Sequence, residues 1–531
     1  MCRVYMSEDA KSVLHPFKGI GPKRRLSHMP SLSHSLPLMQ TLQLVALVGI
    51  FAVMALLMFL CKLPALLALP LMAVLIALVG GIRLPDVLEH VIGAGAVKLH
   101  GAYTVVMFGS MLSVILQKTR VVESFVKKGA ELSGDNPWII AVSMLAIIAL
   151  LFTTVTGLGA IIMVATIVLP ILSSVGISGL TTVGIFLFGL SIGGTLNATN
   201  WAVYVSVMGL KLEQVRPFAL LMFAVNSAAA LVYITWQLYR DGQDLNLRRI
   251  IGSSALVVAV VAGLIFGYNY GLPAATQQAL AGFAGQLGCG LKWAVAAGLA
   301  ALVLLVAVRA TQNSKRPVVA GDVHWAAYFS PLVPLLFILL FGVNFIAAFI
   351  LGLLYAFAST YRRGSLNLLI QSVLEGGAVV MPAVVLMFGI GMLLVAIMGP
   401  GAPLPAYPEG WPVLGLLRPL LAVVQPHHAW SYVLIFTLAA PLALYRGPLN
   451  VWGMGYGLAA VFLASGFNPL AIMGLLMAVG PIQSISDPTN TQNVWLANEM
   501  RVDVQKVLWN TLPYTWVLAF AGLLLTGLLF M

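Results

Sequence analysis

The stretch "ISDPTNTQNVW", residues 485–495, places an aspartate, a proline, two threonines and two asparagines inside an otherwise apolar segment. It decides the fold because Pro488 cannot donate a backbone hydrogen bond, so a helix has to break there. Inside a membrane, each peptide group that a break exposes is costly unless a side chain, an ion or a ligand bonds to it. The stretch therefore predicts a broken membrane helix that is lined by polar groups.

The composition is that of a multi-pass membrane protein. Hydrophobic residues make up 60% of the 531 residues, charged residues make up 8%, and the mean hydropathy is +1.00. Apolar runs near the ~20-residue length that crosses a bilayer recur from Met39 to Met531, which leaves no room for a sizeable soluble domain. The basic residues behind the net charge of +12 lie in short loops. We therefore predict a lipid-embedded protein of the cytoplasmic (inner) membrane that binds no nucleic acid.

Apolar runs between Gly, Pro and charged residues predict about twelve membrane-spanning helices. Two further stretches, 137–173 and 429–465, are long enough for two helices each but are interrupted by "TTVTGLGA" and "YRGPLNVW". We expect each of these to be a re-entrant hairpin, whose exposed backbone is tolerated only inside protein or beside water. The predicted spans are 41–61, 63–82, 102–118, 180–209, 216–238, 250–271, 290–309, 326–342, 343–360, 380–398, 470–499 and 508–530.

The sequence repeats itself when it is shifted by 290 residues without a gap. Charge follows the same register, because Lys211 falls on Arg501 and Glu213 on Asp503. If the basic loops are cytoplasmic, the second copy is upside down relative to the first. Such inverted repeats are typical of secondary transporters. The aligned pairs include Gly157 with Gly447, Gly176 with Gly466, Gly184 with Gly474, Thr199 with Thr489 and Asn200 with Asn490.

The predicted fold is an all-α polytopic protein with two inverted five-span repeats, each with one re-entrant hairpin and one broken helix. The first repeat covers 39–240, a two-span linker covers 241–325, and the second repeat covers 326–531. Residues 1–38 are a polar basic tail. We expect either a disordered tail or a mis-called start with Met39 as the true beginning, and the conflict between the charge of this tail and the orientation of the spans favours the second.

Polar residues at matching positions of the two repeats form the candidate site. The first-repeat partner of the opening stretch is "IGGTLNATNWAVYV", residues 192–205, and we expect both breaks to meet at one water-accessible cavity halfway through the membrane. Alternatively, each is a kink whose polar side chains bond only to their own freed backbone. The coincidence of two matching sites favours a ligand. The candidate substrate-binding residues are Thr154, Thr156, Gly157, Thr195, Asn197, Thr199, Asn200, Arg446, Gly447, Asn450, Ser486, Thr489, Asn490 and Thr491.

Two charged residues stand out at these interruptions. Asp487 is the acidic residue that the predicted spans place deep in the bilayer, so we predict that it binds a coupling ion together with Asn200 and Asn490. Alternatively, it caps the half-helix that begins after Pro488. Arg446 can pair with Asp487 or hold a substrate carboxylate by two parallel hydrogen bonds. Its alternative is to extend to water at the base of the hairpin.

Other chemistry is poorly represented in the sequence. No histidine has a metal-ligand partner at helical spacing, and no GxxxxGK[ST] phosphate loop occurs. We therefore expect no metal site, no cofactor and no ATP-driven pumping, with Na⁺ as a candidate coupling ion. A single deep carboxylate without a deep histidine also argues against an intramembrane enzyme, which needs paired catalytic groups.

The two interruptions and the motifs "NATN" and "DPTN" resemble those of the ion transporter superfamily of carboxylate and anion permeases. The runs "GLGAIIMVATIVLPIL", 157–172, and "CKLPALLALPL", 61–71, are similar to gluconate permeases and citrate symporters within it. The resemblance covers nearly all of 41–240 and 326–531. It implies two inverted repeats, a homodimer and a transport domain that moves as an elevator against a scaffold. The interruptions lack the Ser-Asn-Thr of the dicarboxylate branch, so the resemblance does not identify the substrate.

These features together predict a secondary active transporter, a symporter or permease for a small organic anion. The candidate anions are a sugar acid or a di- or tricarboxylate, and the candidate coupling ions are H⁺ and Na⁺. Arg446 and the Thr and Asn groups would bind the anion, and Asp487 would handle the ion. An alternative is a cation/proton antiporter of the same fold that takes no organic substrate.

Overall fold

The computed structural model describes residues 38–60, 62–134, 136–243, 274–313, 323–362, 365–402, 404–426 and 428–531. Every regular element within these ranges is a helix. The predicted tail up to residue 37 and the predicted span 250–271 lie outside the described residues. The first helices are α1 (Leu38–Phe59), α2 (Ala65–Val79), α3 (Leu84–Lys118), α4 (Val121–Leu132), α5 (Pro137–Phe152), α6 (Leu158–Ser174), α7 (Gly179–Thr195), α8 (Ala198–Met208), α9 (Leu212–Arg240) and α10 (Ala274–Asn313).

The second half has the same kind of helices. A 3₁₀ turn, Ala440–Arg446, and two π turns, Val451–Gly455 and Ile482–Ser486, adjoin its interruptions. Its helices are α11 (Leu332–Phe341), α12 (Phe345–Ser359), α13 (Ser365–Met398), α14 (Pro412–Val424), α15 (Ala429–Ala439), α16 (Tyr456–Ala464), α17 (Pro469–Pro481), α18 (Thr491–Glu499) and α19 (Val504–Phe530).

Polar caps and glycines set the ends of these apolar helices. Ser178 precedes α7 and its hydroxyl accepts from the Thr181 backbone N–H, while Asn468 precedes α17 and accepts from Leu470 N–H. Such side-chain oxygens satisfy the orphan donors of a first helical turn. At the other end, Gly342 follows α11 with a φ of +62°, a conformation that glycine adopts without steric cost. The caps begin and end each helix at a defined residue inside a largely apolar sequence.

Eight helices among the described residues are long and apolar enough to cross a membrane, or nine if the bent pair α7–α8 counts as one span. The chain is thus a helical multi-pass membrane protein. The prediction of about twelve spans is not confirmed by the described residues, which leave out the predicted span 250–271. The predicted spans 63–82, 326–342 and 343–360 form α2, α11 and α12, of 15, 10 and 15 residues. A 15-residue helix rises only about 22 Å, against roughly 30 Å of hydrocarbon core.

Two spans are longer than predicted. Helix α3 begins at Leu84 and helix α13 at Ser365, whereas the sequence predicts starts at 102 and 380. Charged residues such as Glu89 and Glu375 suggested loops at these places. In the structure α13 is helical across this place. Helix α3 contains a π turn at Val87–Ala94 and a two-residue turn at Lys98–Leu99, after which its last part, His100–Lys118, matches the predicted span.

The order and spacing of helices repeat along the chain. Helices α2 and α12 begin at residues 65 and 345, which are 280 apart, and α7 and α17 begin at 179 and 469, which are 290 apart. The offset between corresponding helices rises from 280 to 290 residues between α13 and α15, because the second half has the longer loop after Met398. This spacing supports an internal duplication. The inverted orientation of the two copies stays a prediction.

Corresponding helices of the two halves pack against each other. Helix α3 packs against α13, where the Lys118 ammonium lies 2.6 Å from the Glu375 carboxylate. Helix α9 contacts α19, where the Tyr233 hydroxyl donates to Asn510 Oδ1 at 2.7 Å. Residues 238–309 cluster as a separate compact unit, which in its described part is mainly α10. The two halves therefore share one core built around these like pairs of helices.

Neighbouring glycines on α13 give a test of the α3–α13 packing. A Cβ on Gly376 would lie 2.6 Å from Met111 Cα, while one on Gly377 would meet nothing within 4 Å. We expect Gly376→Ala to lower the free energy of unfolding by about 1–3 kcal/mol through overpacking. Gly377→Ala should be neutral or stabilise by up to about 1 kcal/mol. Thermal unfolding of the purified variants measures both, and equal effects would contradict the packing.

Candidate functional site

The first helix break is held by Asn197. Helices α7 and α8 meet at a 51° bend, and Asn197, which is 3% exposed, lies in the break. Its Oδ1 accepts from the Thr199 backbone N–H at 2.9 Å, and its Nδ2 donates to the Phe152 carbonyl at 2.9 Å. Phe152 ends α5 at the first interruption. Asn197 therefore caps α8 and also bonds the break to the interruption of its own repeat.

The second break is held by Asp487, 290 residues further on. The side chain is 1% exposed, and its Oδ1 accepts from the Thr489 N–H at 2.9 Å and the Thr489 hydroxyl at 2.7 Å. The same oxygen accepts from the Tyr445 backbone N–H at 3.1 Å, at the second interruption. Regular helix is interrupted at both predicted positions. Asp487 does not cap α18, whose N-cap position is Asn490, but closes a turn at Thr489 before that helix begins. Each break is joined to an interruption by the side chain at the matching position.

The polar groups line two cavities rather than the single one predicted. The Asp487 cavity has a volume of about 410 Å³, and the Asn197 cavity has about 240 Å³. Trp452 and Gln483 line both. Ser484 and Gln492 of the second half line the Asn197 cavity together with residues of the first half. The two breaks therefore face neighbouring cavities that share a wall.

Most of the predicted site residues line one cavity or the other. Arg446 and Asp487 both line the larger cavity, and the smaller one has no charged residue among its lining side chains. The predicted residues of the Asp487 cavity are Arg446, Asn450, Asp487, Thr489 and Asn490, and those of the Asn197 cavity are Thr156, Gly157, Thr195, Asn197 and Asn200.

Five predicted residues line neither cavity. The Ser486 hydroxyl lies 2.8 Å from that of Thr511 and 2.9 Å from that of Thr515, in a buried cluster behind the break. Thr491 is exposed at the start of α18. The others are Thr154, which is fully buried, Thr199, which bonds to Asn197, and Gly447, whose added Cβ would collide with the Leu442 carbonyl. A direct contact with a ligand in either cavity is therefore not expected of these five residues.

Several amides satisfy the freed backbone, as the alternative interpretation of the breaks predicts. Asn200 Nδ2 donates to the Gly194 carbonyl at 2.8 Å, and Asn490 Nδ2 donates to the Gln483 carbonyl at 3.3 Å. Asn493 Nδ2 donates to the Ile485 carbonyl at 3.0 Å. These donors are therefore committed to carbonyls that the breaks expose. The amide oxygens of Asn200 and Asn490 are the atoms left for an ion.

Arg446 forms no ion pair with Asp487, and neither residue has one among the described residues. The predicted pairing of these two side chains is wrong for this structure, because Asp487 is turned toward backbone N–H groups instead. Arg446 is exposed and has a φ of +58°, next to Tyr445 with a φ of +53°. Such left-handed conformations cost about 1–2 kcal/mol per non-glycine residue. The turn is therefore strained, and its guanidinium lacks a described protein partner.

The sequence pattern did not reveal the residues of the shared wall. Gln483 Oε1 accepts from the Val451 backbone N–H at 2.8 Å, which ties the start of the second break to the π turn of the second interruption. Tyr204, Trp452 and Tyr456 add aromatic surface to the Asn197 cavity. A single glutamine in an apolar run and aromatics at helical spacing look like ordinary membrane residues. The sequence signal that could have identified Gln483 is its position four residues before Asp487 at the break.

Helix α3 holds the first interruption through Ser113. The fully buried Ser113 hydroxyl donates to the Thr156 carbonyl at 2.9 Å and lies 3.4 Å from the Thr156 N–H. Gln117 Nε2 donates to the same hydroxyl at 3.1 Å. One turn earlier, the buried Ser110 hydroxyl has no partner among the described residues. Both serine hydroxyls are thus buried, but Ser113 is hydrogen-bonded and Ser110 has no partner among the described residues.

This contrast gives a paired test. We expect Ser113→Ala to lower the free energy of unfolding by about 1–3 kcal/mol, because the Thr156 N–H and the Gln117 amide lose a buried partner. Ser110→Ala should be neutral or stabilising, because it removes a polar atom that gains nothing from burial. Thermal unfolding midpoints of the two variants decide the matter. A larger loss for Ser110→Ala would show that the bonding to Thr156 does not stabilise the interruption.

Comparisons with known proteins give one distant structural likeness. No protein-family model matches the chain, and a search of curated proteins finds no significant match. Among solved structures, the chain is similar to the YdaH transporter of Alcanivorax borkumensis, with a TM-score of 0.49 and 14% sequence identity. The match covers 93% of this chain and 98% of that chain. At this similarity, the function has to be inferred from the site itself.

Proposed function

We propose that the protein is a secondary active transporter that moves an organic anion across the cytoplasmic membrane, coupled to H⁺ or Na⁺. The proposal rests on one observation, the missing partner of the Arg446 guanidinium. Its guanidinium lines the Asp487 cavity without a described carboxylate or carbonyl partner. A guanidinium is always charged and binds a carboxylate through two parallel hydrogen bonds. An anionic ligand is the partner that this cavity lacks.

The charges around the cavities favour an anion with one carboxylate. Among the described lining residues of both cavities, Arg446 is the one basic side chain and Asp487 the one acidic side chain. A tricarboxylate would leave two of its charges without a cation in a low-dielectric site. A sugar acid matches better, because its hydroxyls can bond to the amides and hydroxyls of the neighbouring Asn197 cavity.

We propose that the coupling ion binds near Asp487. A carboxylate buried at membrane depth needs a cation, a proton or several donors to stay stable. The amide oxygens of Asn200 and Asn490 are further candidate ligands, since oxygen atoms are what Na⁺ binds. Exchange of the ion between this site and water would take place through the cavity that Asp487 lines.

The position of the larger cavity supports an elevator movement. Its lining includes Leu63 and Pro64 of the α1–α2 turn and Pro382 of α13 on one side. Arg446 and Asp487 of the interruption and the break lie on the other side. We propose that the interruptions and broken helices move together against α1–α3 and α11–α13. The cavity would then lie at the boundary between a moving part and a fixed part.

Uptake by proteoliposomes tests the function and the role of Arg446. We expect labelled gluconate to enter more readily than labelled citrate under an imposed proton or sodium gradient. Arg446→Lys should weaken the apparent affinity for gluconate by about tenfold or more, because the planar fork is lost. The matched control is Arg501→Lys, since Arg501 is also exposed and left-handed but lines neither cavity. An unchanged affinity in Arg446→Lys would remove Arg446 from the binding site.

The same assay tests the coupling role of Asp487. We expect Asp487→Asn to abolish the dependence of uptake on the ion gradient, because the neutral amide neither takes a proton nor attracts a cation. The variant should still insert and purify like the wild type. Ion-dependent uptake at the wild-type level would refute the coupling role. If no acid enters but a sodium gradient drives proton movement, the protein is a cation/proton antiporter and the anion proposal is wrong.

A further inference from the structure

The strained turn beside Arg446 needs a stabilising partner. Leu444 is extended, with φ −71° and ψ 159°, and Tyr445 then turns to φ +53° and ψ 35°. Arg446 follows with φ +58°. Two consecutive non-glycine residues in the left-handed region are rare, because each Cβ approaches the following carbonyl oxygen. The direction of the Arg446 side chain depends on whether this turn is kept.

We infer that Asp487 is the residue that keeps it, and that Asp487 thereby positions the Arg446 guanidinium in the Asp487 cavity. The inference rests on the proposed function, in which Arg446 binds the anion. Asp487 Oδ1 accepts from the Tyr445 backbone N–H at 3.1 Å, inside the left-handed turn itself. Because Asp487 and Arg446 form no ion pair, the carboxylate acts on the guanidinium through the backbone. We call this arrangement, Asp487 bonded to Tyr445 N–H, the turn clamp.

A second side chain supports the turn clamp. Asn450 Nδ2 donates to the Ala443 carbonyl at 3.1 Å and lies 3.5 Å from Asp487 Oδ2. The segment from Ala443 to Asn450 is thus held at both sides of the left-handed pair. Thr489 in turn fixes the carboxylate with its N–H and its hydroxyl. The carboxylate is therefore rigidly placed before it bonds to the turn.

The first repeat shows why an acceptor is needed at this position. There, Asn197 donates its amide to the Phe152 carbonyl, and the interruption turns at Gly157, with a φ of +94°. A glycine adopts this conformation without help. In the second repeat the turn is made by non-glycine residues and offers an N–H instead of a carbonyl. An oxygen at position 487 can accept a hydrogen bond from that N–H. This accounts for a carboxylate at the position whether or not Asp487 also binds an ion.

Three variants distinguish the hydrogen bond of Asp487 to the turn from the negative charge of its carboxylate. Asp487→Asn keeps an oxygen that can accept from Tyr445 N–H, as the Asn197 oxygen does for Thr199, whereas Asp487→Ala removes it. Tyr445→Gly makes the left-handed conformation free of steric cost, so it should restore the turn when combined with Asp487→Ala. The turn clamp therefore predicts that Asp487→Asn and the double variant resemble the wild type in the geometry of the turn.

Amide hydrogen exchange of the purified protein measures the clamp without any substrate. We expect the Tyr445 amide to exchange about tenfold faster or more in Asp487→Ala, and near the wild-type rate in Asp487→Asn. Asn197→Ala is the matched control, since it opens the corresponding bond in the first repeat and should leave the Tyr445 amide protected. An unchanged rate in Asp487→Ala, or equal acceleration in Asp487→Asn, would overturn the inference.

Gluconate binding measures the consequence for Arg446. With no ion gradient applied, we expect the affinity to fall about tenfold in Asp487→Ala and to recover in Asp487→Ala with Tyr445→Gly. Lack of recovery in the double variant would overturn the positioning role. If Asp487→Ala does not fold, recovery of a folded protein by Tyr445→Gly supports the clamp, and failure of that recovery overturns it. If the wild type binds no organic acid, the proposed function fails and the exchange data alone decide the clamp.

Discussion

A peptide group that is freed inside an apolar environment must find a partner, and this requirement organises both halves of the protein. Each half breaks a helix at the same place in its sequence, and each break exposes carbonyls and N–H groups. Asn197 and Asp487 answer the requirement by bonding forward, to the first turn of α8 and to the turn before α18 respectively, and sideways to an interruption. The helix breaks, the interruptions and the cavities beside them therefore depend on two side chains at matching positions.

The two halves meet this requirement with different chemistry. The first uses a neutral amide that donates to a carbonyl, and the second uses a carboxylate that collects three donors on one oxygen. These hydrogen bonds offset part of the cost of burying the carboxylate. The guanidinium of Arg446 consequently has no carboxylate partner among the described residues. The difference between the halves makes one cavity charged and the other neutral, although both helices break at matching positions.

The sequence predicted the breaks but not the shape of the space around them. Asn197, Asp487 and Pro488 mark the breaks directly, because the backbone consequences of such residues are local. Helix lengths were predicted less well, since Glu89 and Glu375 continue helices that their charge seemed to end. The division into two cavities could not be predicted. It depends on which amide donors are used by nearby carbonyls and on how Gln483 meets Val451, and both are tertiary facts.

Two side chains, Gln483 and Trp452, line both cavities, and they are held by different contacts. Gln483 is fixed by the Val451 N–H, whereas Trp452 packs edge-on to Tyr456 at a centroid distance of 6.1 Å. Rotamer changes are far faster than helix rearrangements, on the nanosecond scale when packing allows them. A change of the Trp452 rotamer would therefore alter the lining of both cavities at once.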